Sequence, residues 1–377
     1  MKAPRITDDA LSIAAETIDR LISLDFRNRG ITSRLYAAAR EHVGAPLAYT
    51  AASVIARALD PQGPQAALAT AADPAAPAAQ VTLAPHAPRK SAIVCTGFMI
   101  RSAGQPETDG LTGAALLARG LAAAFGIVPV LATEEAAVRP LRAACAAAGV
   151  HATVTAIDAV ATPIANRLAN PVDEAVILPF PIGSHPATLR TLATDLLSCI
   201  DPSVVIAIER PGANRMGVHH NSRGQSISDM VAPLDELFTQ ATAAGVPTIA
   251  IGDLGNELGM GVVANALREL SPLGTRCACP CGAGIACDTP ADVTVIGAVS
   301  DDAAYGILAC LATLRGNVSI LPTPDMLRAA LRAAVAAGAV DGLTGKSEYS
   351  IDMLGEALHC ALLGLMGAVL ACATSQA

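Results

Sequence analysis

The 377-residue sequence contains no tryptophan, and aromatic residues make up only 2% of it. Hydrophobic residues nevertheless account for 52%, so the core must be built from alanine and small aliphatic side chains. A chain of this length can bury a large core without disulfides or metal ions. The composition favours helices packed closely against a sheet.

Runs of basic residues are also missing. The net charge is -8, and the 25 Lys and Arg residues do not cluster. Because there are few aromatic side chains on which bases could stack, we expect no nucleic acid partner. The expected partner is a small molecule.

Long apolar segments are scarce as well. The nearest to a membrane span is "ALHCALLGLMGAVLACA", residues 357–373, which is shorter than about 20 residues and contains His359. We interpret it as a buried or subunit-interface helix, which predicts no membrane partner and a possible homo-oligomer. The N-terminus lacks the apolar segment and cleavage site of a secretory signal, so a cytoplasmic protein is expected.

The ten cysteines are then best interpreted as thiols in a reducing compartment, most of them small core residues. Cys277, Cys279, Cys281 and Cys287 form a C-x-C-x-C-x5-C pattern that fits no standard metal-site spacing, so a metal there is the weaker interpretation. The adjacent His219 and His220 have no matching Cys or His pair nearby in sequence. We predict no metal at those histidines.

The sequence divides into three parts. Residues 1–60 contain three helical patterns, residues 61–90 form a Pro/Ala-rich linker, and residues 91–377 form an α/β domain. In the last part, seven short apolar runs alternate with helical patterns, which predicts a mainly parallel sheet with helices on both faces. These runs are 92–97, 128–133, 151–157, 175–180, 204–209, 247–252 and 292–297.

Ligands of such sheets bind beyond the carboxyl ends of the strands, so the polar residues there are the candidates for a site. Some of them also have a purely structural interpretation, as helix caps or turn residues. The candidates are Thr96, Gly97, Glu107, Thr108, Asp109, Gly110, Glu209, Arg210, Asn221, Asp253, Gly255, Asn256, Glu257 and Asp288.

Two segments extend this set. The connection after Ile208 is long, and loops of that length in compact domains are usually functional or disordered. Residues 341–359 supply Lys346 and could fold over the site, although a plain connection between helices is equally compatible with the pattern.

Several motifs in this order resemble the D-glutamate cyclase family. They are "TGF" at 96–98, "PETDG" at 106–110, "IER" at 208–210, Asn221, "PLDELF" at 233–238, "GDLGNELGMG" at 252–261, "IACD" at 285–288 and "DGLTG" at 341–345. The resemblance runs from about Ser91 to His359. It implies conversion of D-glutamate into 5-oxo-D-proline with loss of water.

The sequence departs from the family pattern at Leu254, where glycine is usual, and at "SDDAAYG", residues 300–306. The resemblance covers neither the helical region before Asp60 nor the cysteine pattern. These departures support an alternative, a non-catalytic sensor of a small acidic amino acid or lactam. A lyase or hydrolase acting on another carboxylated lactam is a further alternative.

Cyclisation requires a base, an acid and groups that hold two carboxylates. We assign the acid and base roles to Asp253 and Glu257, and Arg210 is the preferred carboxylate clamp, which Glu209 could hold in place. Lys346 and Arg223 are weaker clamps. The remaining candidates at the strand ends are expected to contact the substrate.

The sequence requires no cofactor, but a mechanism that uses a divalent metal ion is an open alternative. Carboxylates at the strand ends could gather around Mg²⁺ or Mn²⁺, which prefer oxygen ligands and would polarise the γ-carboxyl group. The candidate ligands are Glu107, Asp109, Asp253, Glu257 and Asp288.

Overall fold

A computed structural model describes residues 8–63, 91–159 and 174–375 of the protein. Most of the predicted linker, residues 64–90, lies outside this range. The division into three parts therefore stays a prediction.

The described residues contain twelve α-helices. These are α1 (Asp8–Ile22), α2 (Thr32–Val43), α3 (Leu47–Leu59), α4 (Leu111–Phe125), α5 (Glu135–Ala147), α6 (Pro186–Ile200), α7 (Asp235–Ala243), α8 (Ala264–Leu270), α9 (Pro272–Thr275), α10 (Ser300–Arg315), α11 (Pro324–Ala336) and α12 (Glu356–Ser375).

The strands form one main sheet and two short hairpins. They are β1 (Ala92–Cys95), β2 (Met99–Ile100), β3 (Gln105–Pro106), β4 (Val130–Thr133), β5 (His151–Val154), β6 (Glu174–Pro179), β7 (Val204–Ile208), β8 (Thr248–Gly252), β9 (Val293–Ile296), β10 (Ser350–Ile351) and β11 (Leu354–Gly355). Strands β2 and β3 form one hairpin, and β10 and β11 form the other.

The main sheet has the order β5-β6-β4-β1-β7-β8-β9, and every neighbouring pair is parallel. Each of the seven predicted apolar runs overlaps one of these strands, so the α/β class and the parallel sheet are confirmed. Strands β1, β4, β7, β8 and β9 are buried along their whole length. Burial on both faces explains why they are continuous Val, Ile and Ala runs rather than alternating patterns.

The first three helices share the core of the sheet. Helices α1 and α3 contact α10, and α2 and α3 contact β9. The close approach of α1 depends on Gly306, where a Cβ atom would lie 2.7 Å from Ile22 Cγ2. The buried Asp19 carboxylate accepts the Leu47 and Ala48 amides at 2.6 and 3.0 Å, which orders the start of α3.

The strand order places a topological switch point between β1 and β7. The chain leaves β1 for β4 on one side, whereas β7 is followed by β8 and β9 on the other side. The loops after β1 and β7 therefore diverge and open a crevice beyond their carboxyl ends, where ligands bind in open α/β sheets.

Helix α12 contains a segment, Glu356–Thr374, that is apolar and long enough to cross a membrane by length and composition, with a mean hydropathy of 1.9. One face of α12 contacts α1, α10 and α11, while Leu365 is 53% exposed next to the exposed Ile13 of α1. The helix is therefore only partly buried. The predicted homo-oligomer, which would use such a face, stays a prediction.

Candidate active site

A small polar cleft with a cavity volume of about 80 Å³ opens at the switch point. It is lined by loops after β1, β7 and β8, by the segment after α11 and by the loop between α1 and α2. The residues around it are Arg29, Phe98, Met99, Ile100, Arg101, Ser102, Glu107, Glu209, Asn221, Ser222, Arg223, Gln225, Asp253, Leu254, Asn256, Glu257, Gly342, Leu343 and Asp352.

Asp253, directly after β8, is held by two arginines. Its Oδ2 accepts hydrogen bonds from Arg27 at 2.9 Å and from Arg29 at 2.7 Å. Burial raises the pKa of the Asp253 carboxyl, but the charges of Arg29 and Arg27 outweigh it, so the pKa lies below its usual value. Asp253 is thus ionised at neutral pH.

Glu257 is bound by the backbone of its own loop. Its Oε1 accepts the Asp253 and Leu254 amides at 3.1 and 2.9 Å, and its Oε2 accepts the Gly255 amide at 2.6 Å. The glycines of this loop were predicted to let the backbone approach a ligand. In the structure, Gly255 has a φ of 99°, a left-handed conformation that helps the backbone to wrap around Glu257.

The environment of Glu257 also tunes its proton affinity. Burial, followed by the charge of Asp253, raises the pKa of Glu257 to about 7, against the opposing effect of the backbone amides. A carboxyl group that gains and loses a proton near neutral pH is suited to general acid–base catalysis.

Glu209, at the end of β7, has a φ of 39°, which is uncommon for a residue other than glycine. Its Oε2 accepts a hydrogen bond from the Ser300 hydroxyl. Gly110 is required opposite it, because a Cβ atom there would lie 2.7 Å from the Glu209 Cβ. Burial and the charge of Glu257 raise the pKa of Glu209 well above its usual value.

Arg210 is not placed in the cleft, although we predicted it as the carboxylate clamp. Its side chain is fully buried and its guanidinium is paired with Glu134. It also donates to the Thr96 and Gly97 carbonyl oxygens, both at 3.0 Å, and to Ala232. Glu134, rather than Glu209, therefore holds Arg210, which ties together the loops at the carboxyl end of the sheet.

Arg29, which we did not predict as a site residue, lines the cleft. Its Nε is buried without a hydrogen-bond partner among the described residues. Asn256 has a matching feature, since its Nδ2 donates to the His220 carbonyl at 3.0 Å while its buried Oδ1 has no partner in the described part of the chain. The cleft thus offers a cationic donor and an amide acceptor to a bound molecule.

Asp352 enters the cleft from the turn between β10 and β11. This two-residue turn has positive φ at Asp352, 56°, and at Met353, 67°. Asp tolerates this conformation, whereas it is unfavourable for Met353. Asp352 pairs with Arg27 at 2.6 Å. Burial and the charge of Asp253 nevertheless raise the pKa of Asp352 to about 8, so this carboxyl binds a proton more tightly than an ordinary aspartic acid does.

Glu107 lies next to Asp352. Burial and the charge of Asp352 raise the pKa of Glu107 well above its usual value. Gly342 is required beside it, because a Cβ atom there would lie 1.6 Å from Glu107 Oε2. The sequence was compatible with two roles for the segment after α11, a cover over the site or a plain connection between helices. In the structure this segment forms part of the cleft wall.

The other predicted residues lie behind or away from the cleft. The Thr108 hydroxyl donates to the Ser350 carbonyl at 2.8 Å, and the buried Asp109 accepts the Gly110, Ser300 and Asp301 amides. Thr96, Gly97, Gly110 and Gly255 shape the loops and do not line the cleft. Lys346 and Asp288 are exposed and lie outside the lining.

Sequence reasoning missed the two arginines because it left the N-terminal helices out of the site. The signal was "DFRNRG", residues 25–30, where two basic residues follow an amphipathic helix in an acidic chain. Asp352 belongs to segment 341–359, which we expected could fold over the site, but we did not include it among the candidate site residues.

Behind the cleft, His359 and Asp302 form a buried pair at 2.9 Å. Burial alone would lower the pKa of His359, but Asp302 raises it to about 9. Because this folded-state pKa exceeds the usual 6.5, the pair stabilises the fold fully below about pH 6.5 and loses its contribution as pH rises through 9.

We therefore expect the free energy of unfolding to fall by about 1–3 kcal/mol more in the wild-type protein than in His359→Gln between pH 7 and pH 9.5. Urea denaturation at both pH values measures this difference. The exposed His42 provides the control, because His42→Gln should retain the wild-type dependence. Equal slopes in His359→Gln and wild type would contradict the assignment.

Two clusters in the described residues have the composition of metal sites. Ligand atoms of Glu209, Asp253 and Glu257 lie within 4.8 Å of one another, and so do those of His220, Cys277, Cys279 and Cys281. The first cluster shares Asp253 and Glu257 with the predicted Mg²⁺ or Mn²⁺ ligands but leaves out Glu107, Asp109 and Asp288. The second joins His220, where we predicted no metal, to the cysteine pattern, for which a metal was the weaker interpretation.

Comparison with known proteins identifies the family of this chain. Human mitochondrial D-glutamate cyclase is 38% identical over 111 residues, which cover 29% of this chain and 17% of the human protein. The family model described as D-glutamate cyclase-like, C-terminal, matches residues 18–366. The match begins well before Ser91 and includes Arg27 and Arg29. The chain thus belongs to the D-glutamate cyclase-like family.

Proposed function

We propose that the protein is a lyase that converts D-glutamate into 5-oxo-D-proline and water. The observation that carries this proposal is the pairing in one cleft of a cationic donor, Arg29, with buried carboxyls whose pKa values lie near or above neutrality. The 38% identity to the human enzyme supports it, although the matched segment spans only 17% of that protein.

The substrate has two carboxylates and one ammonium group. Arg29 binds one carboxylate through its unused Nε, and Asn256 Oδ1 accepts a hydrogen bond from the ammonium. Two exposed arginines lie at the rim of the cleft, Arg223 and Arg101, and Arg101 is paired with Asp229. The charge of Arg223 attracts an acidic substrate. Both arginines of the α1–α2 loop keep Asp253 charged and fixed.

The chemistry moves two protons from the nitrogen to the oxygen that leaves. Glu257, with a pKa of about 7, accepts the first proton from the α-ammonium so that the free amine attacks the γ-carboxyl carbon. Asp352, with a pKa of about 8, donates a proton to a γ-carboxylate oxygen, and Glu257 passes its proton to the resulting hydroxyl, which leaves as water. The second nitrogen proton is lost as the lactam forms and returns to Asp352. Asp253 is ionised and arginine-bound, so it orients Arg29 rather than transferring protons.

A divalent cation is the alternative means of polarising the γ-carboxyl. Glu209, Asp253 and Glu257 would hold Mg²⁺ or Mn²⁺ through oxygen atoms. However, Asp253 Oδ2 already accepts hydrogen bonds from two arginines, whose positive charges repel a cation. Glu257 already accepts hydrogen bonds from three backbone amides. These contacts favour the proton-transfer version.

We therefore expect activity to be unchanged when Mg²⁺ or Mn²⁺ is added to protein that has been dialysed exhaustively against buffer without either ion. The measurement is the initial rate with D-glutamate at several concentrations of each ion. A rate that depends on either ion would replace the proton-transfer version by the metal version.

The proposed function itself is tested by incubating the protein with D-glutamate and following the mixture by mass spectrometry. The expected product is lighter than the substrate by one water molecule, and it accumulates in proportion to protein concentration. A sensor would instead show thermal stabilisation by D-glutamate with no product. That result would overturn the proposed activity.

We also propose a reducing compartment, such as the cytoplasm. All ten cysteines lie in the described part of the chain, and none of them forms a disulfide there. Ten cysteines without a disulfide are typical of proteins that function in reducing surroundings.

A further inference from the structure

The loop after β7 meets the cysteine-rich segment after α9 at a cluster of four side chains. His220 belongs to the first loop, and Cys277, Cys279 and Cys281 belong to the second. The three sulfur atoms lie 3.3, 3.4 and 3.5 Å apart. His220 Nε2 lies 3.1 Å from Cys279 Sγ and 3.6 Å from Cys281 Sγ.

These separations match the edges of a metal-centred tetrahedron. With Zn–S bonds of about 2.3 Å and a Zn–N bond of about 2.0–2.1 Å, a regular tetrahedron has S–S edges of about 3.8 Å and S–N edges of about 3.5 Å. The observed distances differ from these values by a few tenths of an ångström. The four atoms thus need only a small expansion to surround one ion.

We propose that His220, Cys277, Cys279 and Cys281 bind one structural Zn²⁺ ion. Three cysteines and one histidine are a standard ligand set for structural zinc, and four protein ligands leave no position for a substrate. The site is distinct from the acidic cleft, because none of its four ligands lines that cleft.

The surroundings of the cluster are those of a built site. Asn214 Nδ2 donates to Cys281 Sγ at 3.4 Å and to the Gly284 carbonyl at 2.7 Å, and such contacts orient metal ligands. Cys279 and Cys281 are partly exposed, which leaves an entry path for the ion, whereas His220 is fully buried. The Ala278 amide donates to the Gly224 carbonyl at 2.9 Å, so the backbones of the two loops are also joined.

The ion would fix one wall of the candidate active site. The His220 carbonyl accepts the Asn256 side chain at 3.0 Å, and the next residue, Asn221, lines the cleft. Zinc at this position therefore stabilises the loop that carries Asn221 and orients Asn256 from a distance. Its role is to hold the loop rather than to take part in the reaction.

The test begins with the untagged full chain, purified under reducing conditions, whose zinc content is measured by inductively coupled plasma mass spectrometry. We expect one zinc ion per chain, and after replacement by Co²⁺ we expect the intense near-ultraviolet band of thiolate–cobalt coordination. The zinc content and the cobalt spectrum are both measured on the wild-type protein, so neither result depends on whether a variant folds.

Variants then locate the ion. Cys279→Ser and His220→Gln should each lose most of the bound zinc, and Cys199→Ser, which changes an exposed cysteine on α6, should keep all of it. The proposal is overturned if reduced protein takes up no Zn²⁺ or Co²⁺, or if Cys279→Ser binds as much zinc as wild type. It is equally overturned if mass spectrometry of the non-reduced protein shows a disulfide among the three cysteines.

Discussion

Glu257→Gln is expected to lower kcat with D-glutamate by about 10²–10⁴-fold, the usual contribution of a positioned general acid or base. Glutamine cannot accept the ammonium proton, and its amide nitrogen cannot accept a hydrogen bond from the loop amides as Glu257 Oε1 and Oε2 do. The measurement is a steady-state rate, with the folded state of the variant confirmed by circular dichroism.

Glu269 supplies the matched control for this change, because it is an exposed glutamate on α8, the helix that follows the loop of Glu257. Glu269→Gln should retain the wild-type rate. The pH dependence adds a second readout: the wild-type rate should rise with pH through an apparent pKa near 7, and this limb should vanish from the residual activity of Glu257→Gln. A folded Glu257→Gln with near-normal kcat would remove Glu257 from the mechanism.

Arg29→Gln is expected to have the second largest effect, mainly on substrate binding. The change removes the charged donor that we assign to a substrate carboxylate, and truncating a charged hydrogen-bonding partner in a buried site costs about 2–5 kcal/mol. A cost of about 2 kcal/mol corresponds to a loss of about 30-fold in kcat/KM, and a higher cost to a larger loss. Steady-state kinetics with D-glutamate measures it, and a rise in KM should account for most of the loss.

Two companion variants make the Arg29 prediction specific. Arg34→Gln changes an exposed arginine on α2 and should leave kcat/KM unchanged. Arg210→Gln, which would be the decisive change if Arg210 bound the substrate, should instead lower the melting temperature, because it leaves Glu134 buried and unpaired. If Arg29→Gln retained wild-type KM, the substrate carboxylate would have to bind elsewhere.

The sheet was predictable because its strands are short, apolar and separated by helical patterns. Runs such as 92–97 and 204–209 have no amphipathic alternation, which is typical of strands buried on both faces of a parallel sheet. The pairing order was not predictable from these runs, since similar apolar segments do not specify their neighbours. Placing β1 beside both β4 and β7 required the structure.

For the site, the expectation that ligands bind beyond the carboxyl ends of the strands identified the carboxylates but not the arginines that pair with them. Glu209 follows β7 directly, Asp253 follows β8 directly and Glu257 lies four residues later, and their ligand atoms lie close together. Arg27 and Arg29 are more than two hundred residues away from Asp253 in sequence, in a region with no strand to mark their position. Long-range pairing of this kind leaves no local pattern.

Arg210 is the converse case, a residue that we predicted to bind the substrate and that lies outside the cleft. Its place after β7, next to Glu209, suggested a ligand contact, yet its guanidinium is fully enclosed by Glu134 and loop carbonyls. The residue type and the strand end were compatible with both roles. Only the direction of the side chain distinguishes them, and this direction depends on packing that sequence does not show.

The central claim is tested most directly by incubating the wild-type protein separately with D-glutamate, L-glutamate and both enantiomers of 5-oxoproline, followed by chiral chromatography with mass detection. We predict that D-glutamate gives 5-oxo-D-proline and that L-glutamate is not converted, with Glu257→Gln as the inactive control. Conversion of neither enantiomer by folded, zinc-loaded protein would contradict the account and favour a binding role for the cleft.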